Sequence, residues 1–228
     1  KTYNLNEDVN HTSLSEDDEV LFYVISSGTL INNATITYVN SHENTDNEIH
    51  NWKMAVQSHG GTVINNGSII VSDTSSNVGG LHAIYSDSTG DIINYGLIKL
   101  TSLSSGGFDF VAVSQDYYLN REAGDIINYG TIESNKTAIF SIGGIQNHGF
   151  VIGDVGFTPF NSNATFENTG SIDGFVDATL DKDYSLTNIP TFTMKNETTG
   201  YIKSLLLDLI DANLVFENKG TIDISDYI

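Results

Sequence analysis

The chain has 228 residues, with 29 acidic side chains against nine basic ones, a formal net charge of −20 and no cysteine. That balance argues against a nucleic-acid partner and against docking on an anionic membrane through a basic patch, because both rest on clustered Lys and Arg and Arg121 is the only arginine. Without cysteine there is no disulfide and no thiolate metal site, and no apolar run approaches the ~20 residues of a membrane span.

Residues 1–27 are acidic and polar, with Glu16-Asp-Asp-Glu19 leading into the apolar run Val20 to Ile25. Apolar towards a core and charged towards water, this segment reads as an N-terminal cap that discourages edge pairing. Asn32-Asn-Ala-Thr-Ile36 then opens a series. A polar loop from Ser41 to Trp52 interrupts it. His42, Glu43, Asp46, Glu48 and His50 in that loop are metal-capable residue types, but their spacing matches no standard site.

From there one phrase recurs. Asn65-Asn-Gly67, Asn94-Tyr-Gly96, Asn128-Tyr-Gly130, Asn147-His-Gly149, Asn168-Thr-Gly170 and Asn218-Lys-Gly220 are each followed by one residue and an Ile or Val. A second phrase, Ala-x-x-Ser or Ala-x-x-Gln, begins at Ala55, Ala83, Ala112 and Ala138. The apolar residues just before the first phrase (Ile64, Ile93, Ile127, Phe166, Phe216) and the Ile or Val that closes it are β-favouring, and are expected to bury in a common core. Asn and Gly accept left-handed backbone angles cheaply and so make a corner without a long loop. Stacked corners put Asn over Asn, where side-chain amides can bond in a ladder.

The unit is strand, corner, strand, at intervals of about 20 or about 33 residues, within the periods that signal solenoids. Neither leucine-rich spacing nor a helical 3.6 period is present. The expected fold is all-β, a right-handed parallel β-helix with inserted loops. One domain is expected, with a cap over residues 1–27 and an array of coils over 28–228 that reads as C-terminally truncated.

Two sets of residues stand out as binding candidates. Asp116-Tyr-Tyr-Leu-Asn-Arg121 lies in an inserted loop, and Tyr117, Tyr118 and Arg121 are types enriched at binding hot spots; equally, both tyrosines would serve to pack the loop on the coil. The position between Asn and Gly holds Tyr95, Tyr129 and His148, which stacking would align into a surface stripe beside Leu97 and Phe150. Such a stripe suits a glycan or protein partner, or serves only as cross-coil packing. The acidic surface leaves a divalent cation such as calcium open as a ligand.

β-Helices also host lyases and glycoside hydrolases. A lyase needs a base that this lysine-poor chain provides poorly, and neither the Gly-His-Gly of polygalacturonases nor a Gly-x-Ser-x-Gly nucleophile elbow is present. A non-catalytic protein is expected.

The recurrent Ile-Asn-x-Gly-x-Ile, preceded by Ala-Ile/Val-x-Ser, resembles the passenger repeats of Gram-negative autotransporter adhesins and, less closely, filamentous-haemagglutinin-type exoproteins, from Gly28 to Asp226. The resemblance implies export across the outer membrane, display at the bacterial surface, and attachment to a host glycan or matrix protein or to another copy of the chain, as in autoaggregation and biofilm growth. A glycan-processing β-helix enzyme and a structural stalk are the alternative expectations.

Overall fold

The computed structural model describes residues 1–14, 17–41, 52–74, 80–103, 110–115, 123–158, 164–179, 191–208 and 213–223. Those residues form strands joined by turns, and every strand pairing between coils is parallel. The fold is a parallel β-helix.

One sheet has nine strands, one from each coil: Thr2–Leu5, Thr29–Asn32, Thr62–Asn65, Ile92–Asn94, Ile126–Asn128, Ile145–Asn147, Ala164–Asn168, Thr191–Asn196 and Asn213–Asn218. The other sheet folds around the remaining two faces. In the first four coils it is split into separate strands, Val9–Ser13, Thr35–Asn40, Ser68–Asp73 and Leu97–Thr101 on the second face, and Glu19–Ile25, Trp52–His59, Gly80–Ser86 and Phe110–Gln115 on the third. From the fifth coil a single long strand, Thr131–Ser141, runs through both faces, as do Phe150–Phe157, Ser171–Thr179 and Tyr201–Asp208 after it. Residues 1–25 thus supply a complete first coil, in register with the second on all three faces.

Three apolar columns fill the interior, one per face. Leu30, Val63, Ile92, Ile126, Ile145, Phe166 and Met194 align on the first. Ile36, Ile69, Ile98, Ile132, Val151, Ile172 and Ile202, the residues that close the repeated phrase, align on the second. Val56, Ile84, Val113, Ile139, Val155 and Val176 align on the third. All are buried. Each such side chain contributes roughly 1.5–3 kcal/mol, but only when coils above and below cover it, so the stack is the unit of stability.

Ile64, Ile93 and Ile127 do not join this core. The residue two places before the corner Asn points inward and the one immediately before it points outward, so these three are only partly buried on the first sheet and only Phe166 of the expected set is fully buried. Phe216 stands in the inward column but is 41% exposed in the last strand of the nine-stranded sheet.

The corner asparagines are interior groups. Asn32, Asn65, Asn94, Asn128, Asn147, Asn168 and Asn196 are buried, and each Nδ2 donates to the Oδ1 of the next Asn at 2.8–2.9 Å, ending on Asn218. Each also donates to a backbone carbonyl past the next corner, as Asn65 does to Leu97 at 3.1 Å. The corner glycines serve close approach and not left-handed angles: among the described residues only Ser27, Gly60 and Gly153 have positive φ. A Cβ on Gly96 would lie 1.9 Å from the carbonyl oxygen of Gly67, and one on Gly130 2.1 Å from that of Gly96.

The Ala-x-x-Ser phrase makes a second corner. Ala55, Ala83, Ala112 and Ala138 are buried, and the serine caps the turn that follows: Ser58 Oγ donates to Gly61 O at 2.5 Å and accepts from Gly61 N at 3.1 Å, and Ser141 Oγ accepts from Gly143 N at 3.1 Å. At the N-terminal end Leu5 replaces Asn in the ladder column. There Glu19 holds both Ser13 Oγ and the His11 ring, and the buried Lys53 ammonium donates to the Asp17 carbonyl, so a polar cluster closes the core over Tyr38.

Candidate functional site

The position between Asn and Gly lies outside the tube, and strand stacking at 4.7–4.9 Å puts successive side chains in contact. In the first three coils this column is polar: Asn66 Nδ2 donates to Asn33 Oδ1 at 2.8 Å, and Asn33 Nδ2 to Asn6 Oδ1 at 2.9 Å. In the next three it is aromatic. Tyr95 and Tyr129 stack with centroids 5.1 Å apart and planes within 5°, and Tyr129 and His148 stack at 4.8 Å and 18°. His148 Nδ1 lies 2.8 Å from Thr169 Oγ1, which continues the column.

Sequence order therefore brings Tyr95, Tyr129 and His148 together. Their inner ring faces are occupied by one another, at about 0.5–1.5 kcal/mol per pair beyond simple burial. What they present is edges and hydroxyls, with Tyr95 55% and Tyr129 49% exposed. A ring packed in this way is held rigid while offering an apolar body and a polar tip, which suits a contact surface.

Apolar groups flank the column on both sides. On the second face the outward row runs Ser68, Leu97, Thr131, Phe150, Ser171, and Phe150 is 62% exposed. On the first face the outward row holds Ile31, Ile64, Ile93 and Ile127, then changes to Gln146, Glu167, Lys195 and Glu217. Coils two to five thus carry an isoleucine row on the first face, which meets the aromatic column across the corner in coils four and five, on a chain of net charge −20. Contiguous apolar surface of this kind marks contact sites. The isoleucine row was hidden in the sequence because apolar residues fill both adjacent positions before each Asn, which erases the period-2 signal; the inward asparagine two places from a β-favouring residue was the cue that could have revealed it.

Tyr117, Tyr118 and Arg121 lie outside the described residues, as do His42, Glu43, Asp46, Glu48 and His50. Among the described residues no three His, Asp or Glu side chains converge on a point that could hold a metal ion.

One further titratable group is unusual. His82 is buried on the third face, its ring stacked on Trp52 at 5.1 Å and tilted against Tyr85 at 5.4 Å, and neither ring nitrogen has a hydrogen-bond partner among the described residues. Burial pushes its pKa down to about 3, so it stays neutral. It acts as a flat aromatic filler. The chain matches no family model, no curated protein and no solved structure.

Proposed function

We propose that this chain is a non-catalytic adhesin, displayed at the surface of a Gram-negative bacterium after export across the outer membrane, that attaches to host-cell surfaces or matrix. The observation that carries this reading is the aromatic column Tyr95–Tyr129–His148, in which the two tyrosines are exposed and His148 is half-buried, bracketed by Leu97 and Phe150 and continuous with the isoleucine row. A rigid, repetitive tube presents the same contact chemistry on successive coils, so individually weak contacts add along it and across many displayed copies.

The acidic surface keeps copies soluble and directs contact to the uncharged band, where a partner meets no like charge. Binding of the purified chain to arrays of matrix proteins and host glycans tests the reading. Selective retention that falls at least tenfold in the Tyr95→Ala/Tyr129→Ala variant supports it. Absence of retention on every array element, or retention indifferent to that variant, counts against it.

A further inference from the structure

Where the fifth, sixth and seventh coils turn from the second face to the third, their long strands bend without breaking. Neighbouring registers shift between Glu133 and Thr137 and between Ile172 and Phe175, and Gly153 takes a φ of 116°. A side chain at Gly153 would stand 2.5 Å from the Ser134 carbonyl oxygen, so a bare backbone is required there. Outside this bend is a concavity of about 570 Å³, lined by Asn135, Lys136, Ile152, Asp154, Asp173 and Lys203 among others. It is a shallow depression open to solvent, not an enclosed pocket.

The lining combines two chemistries. Lys136 and Lys203 are two of only nine basic residues in the chain. Lys203 pairs with Asp173 at 3.0 Å, whereas Lys136 makes no ion pair among the described residues. Asp154 is fixed by accepting from the Phe175 backbone N–H at 3.0 Å. The apolar part of the lining is Ile152, 43% exposed; Phe150, two residues before it on the same outward face, stands beside the concavity and not in its lining. Ile152 is in register between Glu133, paired with Lys99 at 2.7 Å, and Asp173, so it forms an apolar window between two ion pairs.

We propose that this concavity binds a neutral saccharide, with Phe150 and Ile152 against the sugar's C–H face and Lys136, Asp154 and Asp173 on its hydroxyls. A hydroxyl both donates and accepts, so it is matched by a carboxylate on one side and an ammonium on the other. An exposed aromatic ring beside such groups completes the pattern of an apolar surface with a few placed polar groups. An anionic polymer meets the two carboxylates and the net charge of −20. A peptide cannot add as a strand here, because Phe150–Phe157 is paired on both edges.

The proposal goes beyond the aromatic column by adding a second contact site on the same tube, and rests on the adhesion reading for its biological setting. Calorimetric titration of the purified chain with cellohexaose, maltohexaose, mannohexaose, chitohexaose and an N-acetyllactosamine tetrasaccharide tests it, with polygalacturonate as the anionic comparison. At least one neutral sugar should bind, at least tenfold more weakly to Phe150→Ala and to Lys136→Gln, and equally to Asn66→Ala on the third coil. Lys136→Gln decides the matter if Phe150→Ala misfolds. Binding by no neutral sugar, by polygalacturonate alone, or within twofold of wild type in Lys136→Gln overturns the site. Attachment to cells that no sugar inhibits and Lys136→Gln leaves intact overturns the site and spares the adhesion reading. Sugar binding lost in Lys136→Gln, on a chain that attaches to no cell, does the reverse.

Discussion

Asn94 and Asn128 are 34 residues apart in the chain, yet the Nδ2 of the first donates to the Oδ1 of the second at 2.8 Å inside the tube. Intervals between successive corner asparagines range from 19 to 34 residues, and the bond is 2.8–2.9 Å throughout. The loops absorb the variation, so the ladder keeps one geometry.

The first prediction concerns a central rung. Asn128→Ala leaves the Asn94 amide without its acceptor and the Asn147 carbonyl oxygen without its donor, and also removes the bond from Asn128 to Phe150 O. Each orphaned buried group costs about 1–3 kcal/mol, so a loss of roughly 3–5 kcal/mol is expected by urea denaturation. Asn66→Ala, on the exposed outer column, should cost well under about 1 kcal/mol.

The corner glycine gives a second. Gly130→Ala puts a methyl 2.1 Å from the Gly96 carbonyl oxygen, which neither backbone can yield without opening the stack. Destabilisation above about 4 kcal/mol, or failure to fold, is expected. A fully folded Gly130→Ala protein with unchanged midpoint would show that the corners are not in the contact described.

His82 predicts a pH dependence. Its folded pKa of about 3 lies below the ordinary 6.5, so between those values the unfolded chain takes up a proton that the folded chain cannot. Its contribution to stability is therefore complete above pH ~6.5 and falls as pH drops towards 3, by up to about 1.4 kcal/mol per pH unit. His82→Phe keeps a ring against Trp52 and removes the titration. Its stability curve should be flatter than wild type from pH 6.5 to 4; identical slopes would place His82 in a wetter site.

The aromatic column predicts a separation of binding from folding. Tyr129→Ala removes two stacked contacts and should cost about 1–2 kcal/mol, less than the inner ladder rung one residue before it. Near-ultraviolet circular dichroism should lose the signal of coupled rings while far-ultraviolet strand content is unchanged.

The β-helix was legible because Asn-x-Gly-x-Ile fixes an inward amide, a close-approach corner and an inward aliphatic in five residues. The aromatic stripe followed from it, since aligned corners align whatever stands between Asn and Gly. Facing was harder. Ile92 and Ile93 are chemically identical neighbours, and only the structure shows that the first is buried and the second only partly so. The reason for glycine was misread for a related cause: a contact with another coil's backbone leaves no local trace, whereas left-handed angles are the usual local explanation. The concavity beside Phe150 could not be read at all, because it depends on a register shift at Gly153 that brings Lys136, Asp154 and Asp173 from three coils to one place.

The most direct test of the central claim is attachment of beads coated with the chain to cultured epithelial cells and to immobilised matrix, comparing wild type with Tyr95→Ala/Tyr129→Ala at matched coating density and verified fold. Attachment by wild type with at least a tenfold loss in the double variant is the expected result. Equal attachment by both proteins, or none by wild type, contradicts an adhesin that works through this corner.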